Sequence, residues 1–280
     1  MSPYDGEAVT ERPVDLPEFD RPPVIEVVIG VQFEPIKEFR QGHIGLFWNE
    51  IRADYPKAYD QPRLETPVES IDEGFVGPSF QLELLDTPPV HRAWFVSADE
   101  SLVVQVQDDR LIHNWRYRGG EYPRFEPLID RFWAHFDKYE STLRRVELDP
   151  TSVLQAEVTY VNWIPVPSMD SFFRPSTAAE LNLPGIGPRP DFQRWSARYP
   201  LRERDAFVGR LVVETQPGRR IEEGKVAAGF QLALTFRAPV ASGATRDHIS
   251  HLLSLGRNAI VRTFAEFTTP EMHREWGRRK

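Results

Sequence analysis

The chain has 280 residues, with 34 Lys and Arg against 42 Asp and Glu for a formal charge of -8, 40% hydrophobic residues, 25 prolines and no cysteine. That length suits one large domain or two moderate ones. The lack of cysteine excludes disulfides, thiolate zinc sites, iron–sulfur ligation and a cysteine nucleophile, and runs such as Val27-Val28-Ile29 fall far short of the ~20 apolar residues of a membrane-spanning helix.

Charge is unevenly placed. Residues 1–150 carry 16 Lys and Arg against 29 Asp and Glu, whereas residues 151–280 carry 18 against 13. Either the basic half offers a surface to an anionic partner, or the halves complement one another within the chain or a homodimer. Arginine outnumbers lysine 29 to 5; base composition explains such a ratio, and so does a need for bidentate contacts to anions. Met1 to Asp20 holds six acidic residues and no apolar stretch, so a signal peptide is not expected and a cytoplasmic protein is.

In chain order, residues 1–22 are proline-bearing and acidic, and read as an extended or disordered arm. Val24 to Phe33 alternates, with Ile25, Val27, Ile29, Val31 and Phe33 on one face and Glu26 and Gln32 on the other, which predicts a strand. Ile44, Phe47, Trp48, Ile51 and Tyr55 predict a helix over 41–55, ended by Pro56. The prolines of 56–90 predict an irregular insertion with one short strand at Phe80–Leu84. Strands follow at His91–Ser97, Leu102–Gln107 and Arg110–Tyr117, then a helix from Pro123 to Leu143.

A similar order recurs. Strand Leu154–Ile164, a short helix over Asp170–Glu180, strands Phe192–Pro200, Phe207–Gln216 and Val226–Arg237, and helix Thr245–Phe267 are expected. Thr269 and Pro270 then start a short last helix. Glu26-Val27-Val28-Ile29 matches Glu157-Val158-Thr159-Tyr160, and Leu102 to Gln107 resembles Leu211 to Gln216. The expected fold is α+β: a duplicated strand-helix-three strands-helix unit, with antiparallel sheets and helices on one face. The boundaries are an arm at 1–22, a first acidic unit at 23–150 and a second basic unit at 151–280.

Sequence motifs select no chemistry. His248 and His251 are three apart on a helix, a metal-ligand spacing, but 100° per residue sends them away from the apolar stripe and no HExxH pattern accompanies them. His43, His113 and His135 form no recognisable triad. GxSxG, GxxxxGK[ST] and a strand-linked GxGxxG are all missing. Glu26 and Glu157 stand at matching places on the mixed strand face, where they could serve as acid and base or bind a cation; equally, each could pair with an arginine such as Arg92, Arg116 or Arg210. Gln32, Gln105, Gln107, Glu214 and Gln216 make that face polar enough for a ligand or partner surface. Trp94, Trp115 and Trp163 lie in strands, where stacking on nucleobases is conceivable, but the acidic balance argues against broad nucleic-acid affinity. Strand alternation puts Arg194 and Arg198 on one face, with Arg202 and Arg204 in the same phase and Arg219 and Arg220 further on. They form either an anion-facing ridge or a charged, aggregation-resistant edge.

Arg21-Pro22-Pro23-Val24-Ile25-Glu26-Val27, together with Phe264-(x)2-Phe267-Thr268-Thr269-Pro270-Glu271-(x)4-Trp276-Gly277, resembles a sporadically distributed bacterial family of roughly this length without established function. The resemblance spans both ends and transfers no catalytic residue. Its distribution implies an accessory or mobile-element-linked role, including phage defence. The expectation is a non-catalytic binding or adaptor protein without metal or cofactor, engaging a protein partner or its own copy, with nucleic acid as a further candidate. The alternative is a hydrolase or nucleic-acid-processing enzyme using Glu26 and Glu157.

Overall fold

The alternating segment after the arm becomes β1 (Val24–Phe33), the centre of one nine-stranded antiparallel sheet in a computed structural model. The structure describes residues 12–65, 68–69, 91–149, 151–174, 192–222 and 224–279. After β1 come α1 (Gln41–Ile51), β2 (Lys57–Gln61), β3 (Arg92–Val96), β4 (Leu102–Gln107), β5 (Arg110–Arg116) and α2 (Phe125–Arg145). The chain continues with β6 (Val153–Ile164), a 3-10 turn at Met169–Ser171, β7 (Trp195–Glu203), β8 (Ala206–Glu222), β9 (Lys225–Pro239), α3 (Arg246–Phe267) and α4 (Pro270–Glu275). Strand order is β2-β3-β4-β5-β1-β6-β9-β8-β7. The architecture is α+β and strand-dominated.

The strands of the two expected units form one sheet, joined where β1 pairs with β6. Val27, Ile29 and Val31 lie opposite Tyr160, Val158 and Ala156, and all six are buried. The same hydrophobic cluster takes in Val104 and Leu111 from the first half, Leu211, Leu234 and Phe236 from the second, and the apolar stripes of α1, α2 and α3. Each fully buried side chain of this size contributes roughly 1.5–3 kcal/mol, so one continuous core holds both halves.

Simple alternation fails at one end of β1. A β-bulge between Val24 and Glu26 shifts the side-chain phase by one residue, so Val24, not Ile25, joins the core. The bulge keeps both neighbours bonded: Tyr117 N–H donates to the Ile25 carbonyl and Trp163 N–H to that of Pro23.

Several elements differ from expectation for local reasons. Helix α1 stops at Ile51, and a turn returns Tyr55 to the core, where its carbonyl accepts a 2.9 Å bond from Trp48 Nε1. Strand β2 forms directly after Pro56 as a sheet edge paired with β3; the strand expected at Phe80–Leu84 lies outside the described residues. Of the helix expected over Asp170–Glu180, only the 3-10 turn forms among the described residues; Pro175 disfavours helical backbone at Arg174. The arm's described part, with a turn at residues 13–16, is docked: Phe19 is 5% exposed and packs on Phe264 and Trp276, while Asp20 N–H bonds to the Gly277 carbonyl. Residues 1–11 lie outside the described residues.

Candidate functional site

The polar face of the sheet carries a different arrangement in each half. In the first half, Gln105 Oε1 accepts from Arg92 Nη1 at 2.8 Å and from Trp94 Nε1 at 2.9 Å, and its amide donates to Asn114 Oδ1 at 2.7 Å. Asn114 Nδ2 and Arg116 Nε in turn donate to Glu26 Oε1 at 2.7 and 3.0 Å. Trp94 lies near both Arg92 and Arg116, whose guanidinium carbons sit 5.4 and 4.4 Å from its ring centroid. Each side chain in this chain of bonds has at least one partner within it, which rigidifies the face.

A strap formed by residues 62–65 and 68–69 crosses this face. Arg92 Nε donates to the Pro62 carbonyl. Gln107 binds the main chain of Leu64 with both ends of its amide, accepting from N–H at 2.9 Å and donating to the carbonyl at 3.1 Å. Arg63 is ion-paired with Asp108, and Glu69 N–H donates to Gln155 Oε1 at 2.8 Å. Gln107 is fully buried and its amide also donates to Asp109 Oδ1 at 2.9 Å, so Gln107→Leu leaves two strap groups and Asp109 each one partner short. The expected loss is about 1–3 kcal/mol, read as a lower urea midpoint with faster proteolytic nicking between residues 62 and 70.

At its far end the strap meets the second half. Glu157 on β6 lies opposite Arg237 on β9, which lies opposite Arg210 on β8. Two arginines directly opposed across a ladder repel, and two carboxylates relieve them. Glu157 is ion-paired with Arg237. The Glu69 carboxylate, 5% exposed, takes Arg198 Nη2 on both oxygens at 2.9 Å and Arg210 Nε at 2.8 Å, with Arg237 Nη1 at 4.0 Å. This row is an arginine-built carboxylate receptor, occupied by a residue of the chain's own first half.

The sequence-derived candidates distribute unevenly. Glu26 and Glu157 flank the Val28–Thr159 pair, four residues apart along the ladder, which is roughly 13 Å. Each is engaged by an arginine, Arg116 as anticipated and Arg237 as not. Gln105 is 5% exposed and therefore buried in the network instead of lying at a surface; Gln32 accepts from Gln155 at 3.3 Å. Trp163 is 8% exposed and lies against Gly218 and Gly229, so its ring is covered by the β8–β9 ribbon and offers no stacking platform.

The expected arginine ridge is dispersed. Only Arg198 reaches the receptor row. Arg194 pairs with Glu214 at 3.1 Å; Arg202 donates to the Asp205 carbonyl. Arg204 leaves the strand phase altogether: its φ of 47° and the 68° of Asp205 mark a tight hairpin turn of the type whose two central residues are left-handed. Arg219 and Arg220 sit where β8 and β9 run on past the last β6 pair, Ile164 with Phe230, as a two-stranded ribbon with Ile221 and Val226 exposed and opposed. Among the described residues His248 and His251 belong to no group of three potential metal ligands.

Sequence reasoning missed Glu69, Arg210 and Arg237 as a unit. Strand pairing pointed to an arginine facing Glu157 without singling out Arg237, and Glu69 lay in proline-rich text with no periodicity to mark it. A scan with protein-family models and a search of curated proteins returned no match for the chain.

Proposed function

We propose that the protein is a non-catalytic binding protein whose second-half polar face receives an acidic segment of a protein partner. The observation that carries this reading is the burial of Glu69 between Arg198 and Arg210, with Arg237 beside them: an external carboxylate replacing Glu69 would meet the same donors. The strap then acts as the in-cis occupant, and the exposed ribbon of Arg219, Ile221 and Val226, further along the same strands, offers a second contact surface. Catalysis by Glu26 and Glu157 draws no support from their separation and their arginine pairs.

An internal duplication underlies this reading, with the helices α1, α2 and α3 on one side of the sheet. Its support is register: Glu26 faces Arg116 as Glu157 faces Arg237, and Leu102 faces Trp115 as Leu211 faces Phe236. The two stretches of sequence similarity fall at equivalent ladder positions under that one superposition. The halves then diverged in use, the first closing its face with Gln105 and Asn114 and the second with arginines.

The test compares wild type, Glu69→Ala and Arg210→Gln/Arg237→Gln, using a polyglutamate peptide and a single-stranded oligonucleotide as probes. Glu69→Ala is expected to bind polyglutamate about tenfold more tightly than wild type, the gain vanishing in the arginine variant and at high salt. Unchanged affinity in a folded Glu69→Ala protein sinks the proposal. Preference for the oligonucleotide, with a steep salt slope, would replace it with nucleic-acid binding.

A further inference from the structure

On the core side of the sheet, away from the arginine row, a cavity partly open to solvent lies between the docked arm, the loop before α2 and helix α3. Its walls are mostly apolar, including Phe19, Val24, Phe125, Ile260 and Phe264. Polar side chains break that surface: Arg257 from α3, Tyr122 from the loop and Tyr160 from β6, with Arg12, Glu18, Arg124 and Asn162 also in the lining.

Arg257 is 1% exposed. One corner of its guanidinium is used, Nη1 donating to Glu126 Oε1 at 2.8 Å, and its central carbon lies 5.0 Å from the centroid of the Phe125 ring. Nε and Nη2 are buried without a hydrogen-bond partner among the described residues. Those two nitrogens form one edge of the guanidinium, the edge whose parallel N–H bonds match the two oxygens of a carboxylate. A buried ionised donor pair left unmade costs several kcal/mol, so a core arginine held in this way calls for an acceptor. Tyr122 and Tyr160 add a third donor: their hydroxyl oxygens are 2.8 Å apart, so one donates to the other and one proton remains to be given. Burial raises both phenols, Tyr160 to about 12, so neither contributes a competing negative charge near neutrality.

We propose that this cavity binds a small organic monocarboxylate with an apolar body, its carboxylate on the Nε–Nη2 edge of Arg257 and its body against Phe125, Ile260 and Phe264. The charge of the lining favours a monoanion over phosphate. Arg12, Arg124, Arg257 and Glu18 line it, and Glu126, outside the lining, pairs with Arg257, leaving one positive charge in excess. The apolar walls exclude a heavily hydrated dianion.

The site is tested with 3-phenylpropionate, its amide and inorganic phosphate against the full chain, by calorimetric titration and by the shift in Tm. The carboxylate is expected to bind about tenfold or more tightly than the amide, the worth of one charge-assisted bidentate contact, and to raise Tm. Arg257→Met should abolish the difference between acid and amide. Val261→Trp, which occupies the cavity from α3 and keeps the guanidinium, should remove binding of both, and this arm holds should Arg257→Met fail to fold. Equal affinity for acid and amide, acid binding that survives either substitution, or phosphate outcompeting the carboxylate overturns the assignment, as does a wild-type protein that takes up none of the probes.

Discussion

Gly256→Ala is expected to destabilise the protein by about 1–3 kcal/mol and Gly256→Val by more, although alanine in an exposed helix would stabilise by ~1 kcal/mol. A β-carbon at Gly256 would stand 2.3 Å from Cδ1, 2.9 Å from Cγ and 3.1 Å from Cβ of Phe236, a fully buried side chain. The ring cannot retreat. On its other side a β-carbon at Gly209 would meet Cε2 and Cζ at 2.7 Å and the Arg237 carbonyl oxygen at 2.5 Å. Phe236 is therefore held between α3 and β8 by two residues without side chains, and the overlap at Gly209 is with backbone, which cannot rotate aside. The consequence reaches the polar face, because Arg210 and Arg237 are the immediate neighbours of Gly209 and Phe236. Urea unfolding of Gly256→Ala, and of Gly256→Ala/Phe236→Leu, provides the check. The double variant should recover part of the loss, and a single variant as stable as wild type would contradict the packing argument.

The second large effect is acid sensitivity below pH 6.5. His113 is 1% exposed and His135 8%; their rings stack at 5.3 Å, with Tyr55 against His135 at 5.1 Å. Burial above all, then the neighbouring His135 and Arg131, lowers His113 to about 3, and burial followed by Lys138 lowers His135 to about 4. Both rings are neutral in the fold. Because their folded values are depressed, the unfolded chain takes up protons first, so stability is complete above the unfolded value of 6.5 and falls as pH drops toward 4 and then 3. At about 1.4 kcal/mol per unit, either ring withdraws roughly 3 kcal/mol by pH 4. Thermal unfolding between pH 7.5 and 4 should show a steep decline in Tm for wild type and a shallower one for His135→Phe. Parallel declines would assign the acid limb to carboxylates instead.

Much of the topology was legible because local chemistry and the final fold agree. The alternation of Val27, Ile29 and Val31, the turn residues between β4 and β5, and the stripe of Phe132, Phe136 and Tyr139 each suit one kind of element wherever they are placed. Glu26 with Arg116 was legible for a similar reason, since a charged residue on a mixed strand face seeks a cross-strand partner. The row of Arg198, Arg210 and Arg237 was not, because its members come from three strands and its acceptor from a segment more than a hundred residues away. Arg257 was hidden more deeply. It follows Gly256 on a helix whose stripe reads as ordinary core, and nothing in its neighbours tells whether an arginine there reaches water or is sealed in.

Periodicity, turn composition and capping residues therefore determined the strands and helices and the acidic and basic halves, since those properties depend on residues a few positions apart. The single β1–β6 seam, the bulge at Val24, the Glu69 strap and the half-used guanidinium of Arg257 emerged only on folding. Each depends on which distant groups come within hydrogen-bond reach and on how much water is excluded around them, and the cost of a buried unpaired charge exists only once that burial has occurred.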